Sequence, residues 1–165
     1  MEELDLEQSA PVLLTAEGHQ RLKEELKHLT VNKRNEIAER IRESKDHGEF
    51  SEDNNELDEI KIEQAMVESR IAELKSILSG AEILDPSQVD TSKVSLGTLV
   101  KVKDADRGIE FEVRMVASIE ANPDEDMISE ESPMGEALMG CQVGDTAEFE
   151  VPAGKIRYTV ASIRS

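Results

Sequence analysis

Tryptophan is absent from this chain, tyrosine occurs once and phenylalanine three times, so aromatics make up 2% of the 165 residues. What remains for a core is aliphatic and modest, which fits long exposed helices better than a large globule. Cysteine is as scarce. Cys141 stands alone, which rules out an internal disulfide and points to a reducing compartment, with an inert buried thiol as its default state. No apolar run approaches the length of a membrane span, and the opening M-E-E-L-D-L-E-Q is too acidic for a signal peptide. The expectation is a cytoplasmic protein with no membrane partner. Basic residues are also short, 19 Lys and Arg against 37 Asp and Glu, a net charge of −18. Duplex binding rests on neutralising phosphates, so a general nucleic-acid binder is excluded. Any contact with RNA must be local or arranged by a larger basic partner.

What the chain does have is charge, 34% of its residues, unevenly placed. From Lys33 to Lys45 five basic residues face three acidic ones; from Asp46 to Glu63 eight acidic residues face Lys61 alone. The change of sign falls on K-D-H-G-E-F-S-E-D-N-N-E-L, Lys45 to Leu57. Two helical patterns flank this stretch, so it reads as the turn of a helical hairpin. Concentrating carboxylates at a bend raises their mutual repulsion, and Glu49, Glu52 and Asp53 suit a divalent cation, because hard cations take oxygen ligands. The plainer alternative is a solvated acidic face favoured by the dipole of the helix that follows.

Residues 1–14 read as a tail, with Val12–Leu14 placed to join the next domain. Thr15 is the predicted N-cap of the first arm, which puts Leu22, Leu26, Leu29, Ile37 and Ile41 on one face with Lys33 as polar interruption. Gly48 is the expected left-handed stop. In the returning arm Leu57, Ile60, Gln64, Val67, Ile71, Leu74 and Leu78 step by three and four as a coiled-coil seam. Some thirty residues per arm make a rod of about 45 Å. The hairpin is assigned to 1–84, its acidic tip to about 46–56. Residues 85–95 carry turn chemistry in Asp85-Pro86-Ser87 and Asp90-Thr91-Ser92 and read as a linker. From 96 to 165, strand-like runs at Thr98–Lys103, Ile109–Ala117, Ala147–Val151 and Lys155–Ile163, with one short helix after Ser132, predict a small α+β domain built on a twisted antiparallel sheet. The fold class is α+β, a helical hairpin followed by that domain.

Two stretches carry a family resemblance. One is the tip H-G-E-F-S-E, followed after one residue by N-N-E-L-D-E-I-K-I-E-Q. The other is I-S-E-E-S-P-M-G-E-A-L-M-G-C-Q-V-G-D-T, with P-A-G and Y-T-V-A-S-I beyond it. With these the chain resembles the bacterial GreA/GreB transcript-cleavage factors over nearly its full length. The resemblance implies an FKBP-like C-terminal domain that docks on the β′ subunit at the rim of the secondary channel of RNA polymerase. It implies a coiled coil whose tip reaches the polymerase active site, where two carboxylates help hold the second Mg²⁺. Polymerase then cleaves the 3′ end of backtracked RNA. On this reading the chain is not an enzyme by itself, has no cofactor of its own beyond Mg²⁺ shared with polymerase, and is monomeric.

Residue by residue, Glu49 falls where the family has Asp, and Glu52 falls on its Glu; these two are the implied metal ligands, with Asp53 beside them. Ser132, Pro133 and Met134, with Gly135, match the docking loop, and the alternative for Pro133 and Gly135 is turn-shaping alone. Gly140, Gly144 and Asp145 read as backbone-geometry residues. Arg34, Arg40, Arg42 and Lys45 match the basic patch set against the nascent RNA 3′ segment, while pairing with Glu36, Glu39 and Glu43 along the helix is the plainer account. Asn35 stands where the family often has proline, which removes one cause of a kink. Glu49 is one methylene longer than Asp, a displacement of about 1.5 Å, and Asp53 comes with a one-residue insertion. A misplacement of about 1 Å can cost roughly a hundredfold in rate, so a Gre-like inhibitor that does not stimulate cleavage is a second reading. A peptidyl-prolyl isomerase is a third, disfavoured because Phe111, Phe149 and Tyr158 all lie on strands that need core.

Overall fold

A computed structural model describes residues 12–48 and 55–165, and the tip carboxylates Glu49, Glu52 and Asp53 lie outside them. The described chain forms two compact units, one of His19–Ala81 and one of residues 12–18 with Glu82–Ser165.

The first unit is the helical hairpin. Its first arm is α1 (Ala16–Lys27), a π-helical segment His28–Lys33, and α2 (Arg34–Gly48); its second is α3 (Asn55–Gly80). The helices run antiparallel, since Glu25 pairs with Arg70 near one end and Arg40 with Glu63 near the other. Ile37, Ile60, Val67 and Ile71 form the buried seam, with Leu26, Leu29 and Ile41 packed against it. Each buried Ile or Val adds about 1.5–3 kcal/mol, so the seam supplies the hairpin's stability. Two details depart from expectation. Gly48 closes α2 as its last helical residue. Gln64 is exposed, and Glu63 turns half-buried towards the first arm, drawn there by Lys33 and Arg40.

The second unit is a five-stranded sheet in the order β5-β4-β3-β7-β6, with β3 Leu99–Asp104, β4 Glu110–Val116, β5 Met127–Ser129, β6 Thr146–Val151 and β7 Gly154–Arg164. The four expected strands are there. The antiparallel expectation needs correction at one edge, where β5 pairs parallel with β4. At three residues β5 is too short to show an alternation in sequence. Helix α4 (Pro133–Leu138) covers one face over a core of Val94, Val100, Val102, Val113, Met115, Leu138, Ala147 and Val160. The aromatics pack on that core as Phe111–Tyr158 and Phe149–Tyr158 pairs, with centroids 5.2 and 5.5 Å apart.

The domain bounds read from sequence also shift. Leu13–Leu14 (β1) pairs in parallel with Glu82–Ile83 (β2), which ties residues 12–18 to the C-terminal unit. The stretch read as linker is built into the same unit. Asp85 caps a 3₁₀ turn over Pro86–Gln88, Asp90 accepts from Ser92, and Val94 is 1% exposed in the core. The Val94 N–H donates to the Cys141 carbonyl at 2.7 Å. Turn chemistry was legible there; its incorporation into a packed unit was not.

Candidate functional site

The loop of residues 132–135, which the resemblance assigns to docking, is held from both sides. Ser132 is the N-cap of α4: its hydroxyl accepts from the Gly135 N–H at 3.0 Å and donates to the Ser129 carbonyl at 2.7 Å. Pro133 occupies the first turn, where its missing N–H costs nothing. Gly135 is buried, and a Cβ there would lie inside the van der Waals envelope of the Ser129 carbonyl oxygen. Ser132 and Gly135 therefore have structural duties that explain their identity. Pro133 is exposed, and Met134 is half-buried against the core. Beside the loop, the exposed Glu131 accepts from the Ser118 hydroxyl at 2.9 Å. After α4, Gly140 and Gly144 take φ of 86° and 97°, the left-handed region that glycine enters without strain. The half-buried Cys141 thiol donates to the Ala137 carbonyl, and burial raises its pKa.

The basic residues of the first arm divide. Arg34 grips Glu68 through two bonds of 2.8 and 2.7 Å, and Arg40 donates to Glu63 at 2.9 Å; both bridge the two helices. Among the described residues Arg42 pairs with Glu39, three residues back, at 3.4 Å, and Lys45 is exposed. Pairing along the helix thus describes Arg42 but not Arg34 or Arg40. Hydrogen bonds from these cations hold the Glu63 and Glu68 carboxyls below the usual carboxylate range, Lys33 being the largest cause at Glu63 and Arg34 at Glu68. Glu25 is lowered in the same way by Arg70.

Sequence reading passed over Lys33–Glu63, Arg70–Glu25 and the π-helical segment. Charges flanking an apolar seam on both arms are the signal for the first two. It also passed over Glu120, only 8% exposed, which accepts from the Thr15 N–H at 2.8 Å and the Thr15 hydroxyl at 2.6 Å. Thr15 in turn accepts from the Gly18 N–H at 2.9 Å, as an N-cap does. Glu120 fills the place of a capping-box glutamate from 105 residues away. Gly18 fits because a Cβ there would collide with that carboxylate.

Among the described residues no group of three or more His, Cys, Asp or Glu is placed to hold a metal ion, and no helix is long and apolar enough to cross a membrane. The carboxylates implied for Mg²⁺, Glu49 and Glu52, lie outside those residues. As donors they are of the hard oxygen type that Mg²⁺ takes.

The family model described as the N-terminal domain of a transcription elongation factor matches residues 12–83, and the GreA/GreB C-terminal model matches residues 89–165. The chain belongs to the GreA/GreB family of transcription elongation factors. It is 46% identical over 156 residues to transcription elongation factor GreA of Thermoanaerobacter pseudethanolicus, covering 94% of this chain and 99% of that one. GreA of Clostridioides difficile is 43% identical over 159 residues, covering 96% and 99%. Among solved structures, GreA factor homolog 1 of Thermus thermophilus aligns at 34% identity over 94% of this chain and 99% of that one, with a TM-score of 0.44. The first matched segment ends with β2 and the second begins just after the Asp85-capped turn, so the Gre family's N-terminal part takes in the hairpin and its C-terminal part the five-stranded sheet.

Proposed function

We propose that this Gre-family chain binds RNA polymerase and stimulates the polymerase's own Mg²⁺-dependent cleavage of backtracked RNA, so releasing arrested complexes. The observation that carries the reading is an acidic bend joining two helices locked to each other. The sequence from Asp46 to Glu63 holds eight carboxylates, and the helices it joins are held by their seam and by Arg70–Glu25, Arg34–Glu68 and Arg40–Glu63. A stiff rod delivers a carboxylate to a distant centre at less entropic cost than a flexible loop would.

Within this reading the chain has two working parts. The FKBP-like C-terminal domain docks through exposed Pro133 and half-buried Met134 on the β′ rim of the secondary channel. Glu49 and Glu52, with Asp53 beside them, are the groups that would hold the second Mg²⁺ with polymerase. When bound, that ion stabilises charge on the attacking and leaving oxygens of the phosphodiester. Arg42 and Lys45, which among the described residues make no bridge to α3, are the cations of the basic patch that approach the RNA 3′ segment.

The test is an elongation complex with a frayed RNA 3′ end, given the protein and Mg²⁺. Wild type is expected to accelerate cleavage, and Glu49→Ala with Glu52→Ala to abolish the gain. An undiminished gain from the double variant removes the reading. Glu49 in place of Asp and the extra Asp53 favour one competitor, an inhibitor that slows nucleotide addition without cleavage, and the same assay separates the two.

A further inference from the structure

The apolar spacing of the first arm carries an irregularity that the second lacks. Along α3 the steps from Leu57 to Leu78 alternate three and four, whereas Leu29, Lys33, Ile37 and Ile41 are separated by three steps of four. Each α-helical residue turns about 100°, so the twelve residues from Leu29 to Ile41 would overshoot by about 120°. A coiled-coil seam absorbs only about 20° per heptad. One residue taken up in a widened turn removes about 100° of that excess. The structure has such a turn in the stretch where it is needed. His28–Lys33 is π-helical, and the Arg34 N–H bonds back to the Leu29 carbonyl, five residues away. Side chains reinforce it: Thr30 donates to the Leu26 carbonyl at 2.9 Å and Asn35 to the Val31 carbonyl at 2.7 Å.

Beyond the widened turn Ile37 is 1% exposed on the seam. Lys33 meets Glu63 Oε1 at 2.9 Å and Arg40 meets Oε2 at 2.9 Å, so both oxygens of one α3 carboxylate are held by first-arm residues about two turns apart. Half-exposed ion pairs of this kind are worth about 0–1 kcal/mol. Their value is in choosing among registers, as a single polar pair does in a coiled coil.

We propose that the π-helical segment and the Lys33–Glu63–Arg40 clamp together are a positioning element that sets the register of α2 against α3. Lys33, Arg40 and Glu63 are positioning residues on this account. Its bearing on RNA cleavage rests on the function proposed above; its bearing on the hairpin does not.

Deleting Asn32 tests it. The Asn32 side chain is exposed and hydrogen-bonds to His28, one turn back. The deletion leaves a regular α-helix with Ile37 and Ile41 seven and eleven residues after Leu29, within about 20° of the seam, whereas one alanine inserted after Asn32 turns both about 100° off it. The expected result is a Tm and amide exchange kept by the deletion, and a lower Tm with at least tenfold faster exchange across α2 and residues 60–71 from the insertion, with Asn32→Ala behaving as wild type. A deletion as damaging as the insertion, or an insertion without effect, would overturn the proposal, since the π turn would then not be taking up one residue. Glu63→Gln, which retains the seam, is expected to lower the saturating cleavage rate at least threefold at unchanged KM. An unaltered rate from that variant, with wild type active, removes the clamp from the element. A wild type that does not cleave RNA sinks the functional reading, yet leaves the exchange data to decide the register.

Discussion

At Gly135 the space for a side chain is already taken by the Ser129 carbonyl oxygen. Gly135→Ala therefore forces the first turn of α4 away from β5, and overpacking of this kind costs about 1–3 kcal/mol. A urea midpoint lowered to match is the expected outcome. Ser132→Ala is expected to cost about 1 kcal/mol through loss of the cap. Pro133→Ala, at an exposed position, should leave the midpoint nearly unchanged while weakening polymerase binding. Equal losses of stability from all three would show that the loop is only a turn. The Ser132-Pro133 start of α4 was legible in sequence, because an N-cap hydroxyl followed by proline is a local signature. The reason for Gly135 was not, because the atom it makes room for comes from β5.

Within the hairpin, stability and acidity are linked through Glu25, Glu63 and Glu68, whose pKa values are lowered by Arg70, by Lys33 and Arg40, and by Arg34. A carboxyl lowered in the folded state contributes stability in full above its unfolded value of about 4.3. That contribution is lost as pH falls through the lowered value. The helical Tm is therefore expected to fall as pH is taken from 6 to 3. Acidification also relieves repulsion at the bend, which acts the other way. The informative comparison is with the triple variant Glu25→Gln, Glu63→Gln, Glu68→Gln, which should show a shallower fall by circular dichroism. An identical slope in both proteins would mean that these pairs do not couple folding to protonation. Both helices of the hairpin were legible from their spacing, including α3 to within a few residues. The π-helical segment was also written in the sequence, as three steps of four in a row, but steps of four belong to an ordinary helix and only the facing seam makes them a problem.

Taken whole, the molecule carries a net charge of −18, and three of its first-arm cations, Lys33, Arg34 and Arg40, are committed to glutamates of α3. Free protein is expected to leave single-stranded RNA and duplex DNA unretarded in a native gel at 0.15 M salt, where charges are screened beyond about 8 Å. It should nonetheless comigrate with an elongation complex. Retardation of free RNA would show that Arg42 and Lys45 suffice without a partner.

The sequence by itself determined the class of architecture: two apolar periodicities of helical length around an acidic bend, then alternating strands with glycine punctuation. Those signals are local, since each needs only a helix or strand and its own neighbours in the chain. Tertiary structure alone decided that residues 12–18 and the stretch after β2 belong to the C-terminal unit, that Glu120 caps a helix 105 residues earlier, and that Glu63 rather than Gln64 faces the first arm. Each of these depends on a partner distant in sequence, and a buried or paired charge takes its position from that partner rather than from the residues beside it.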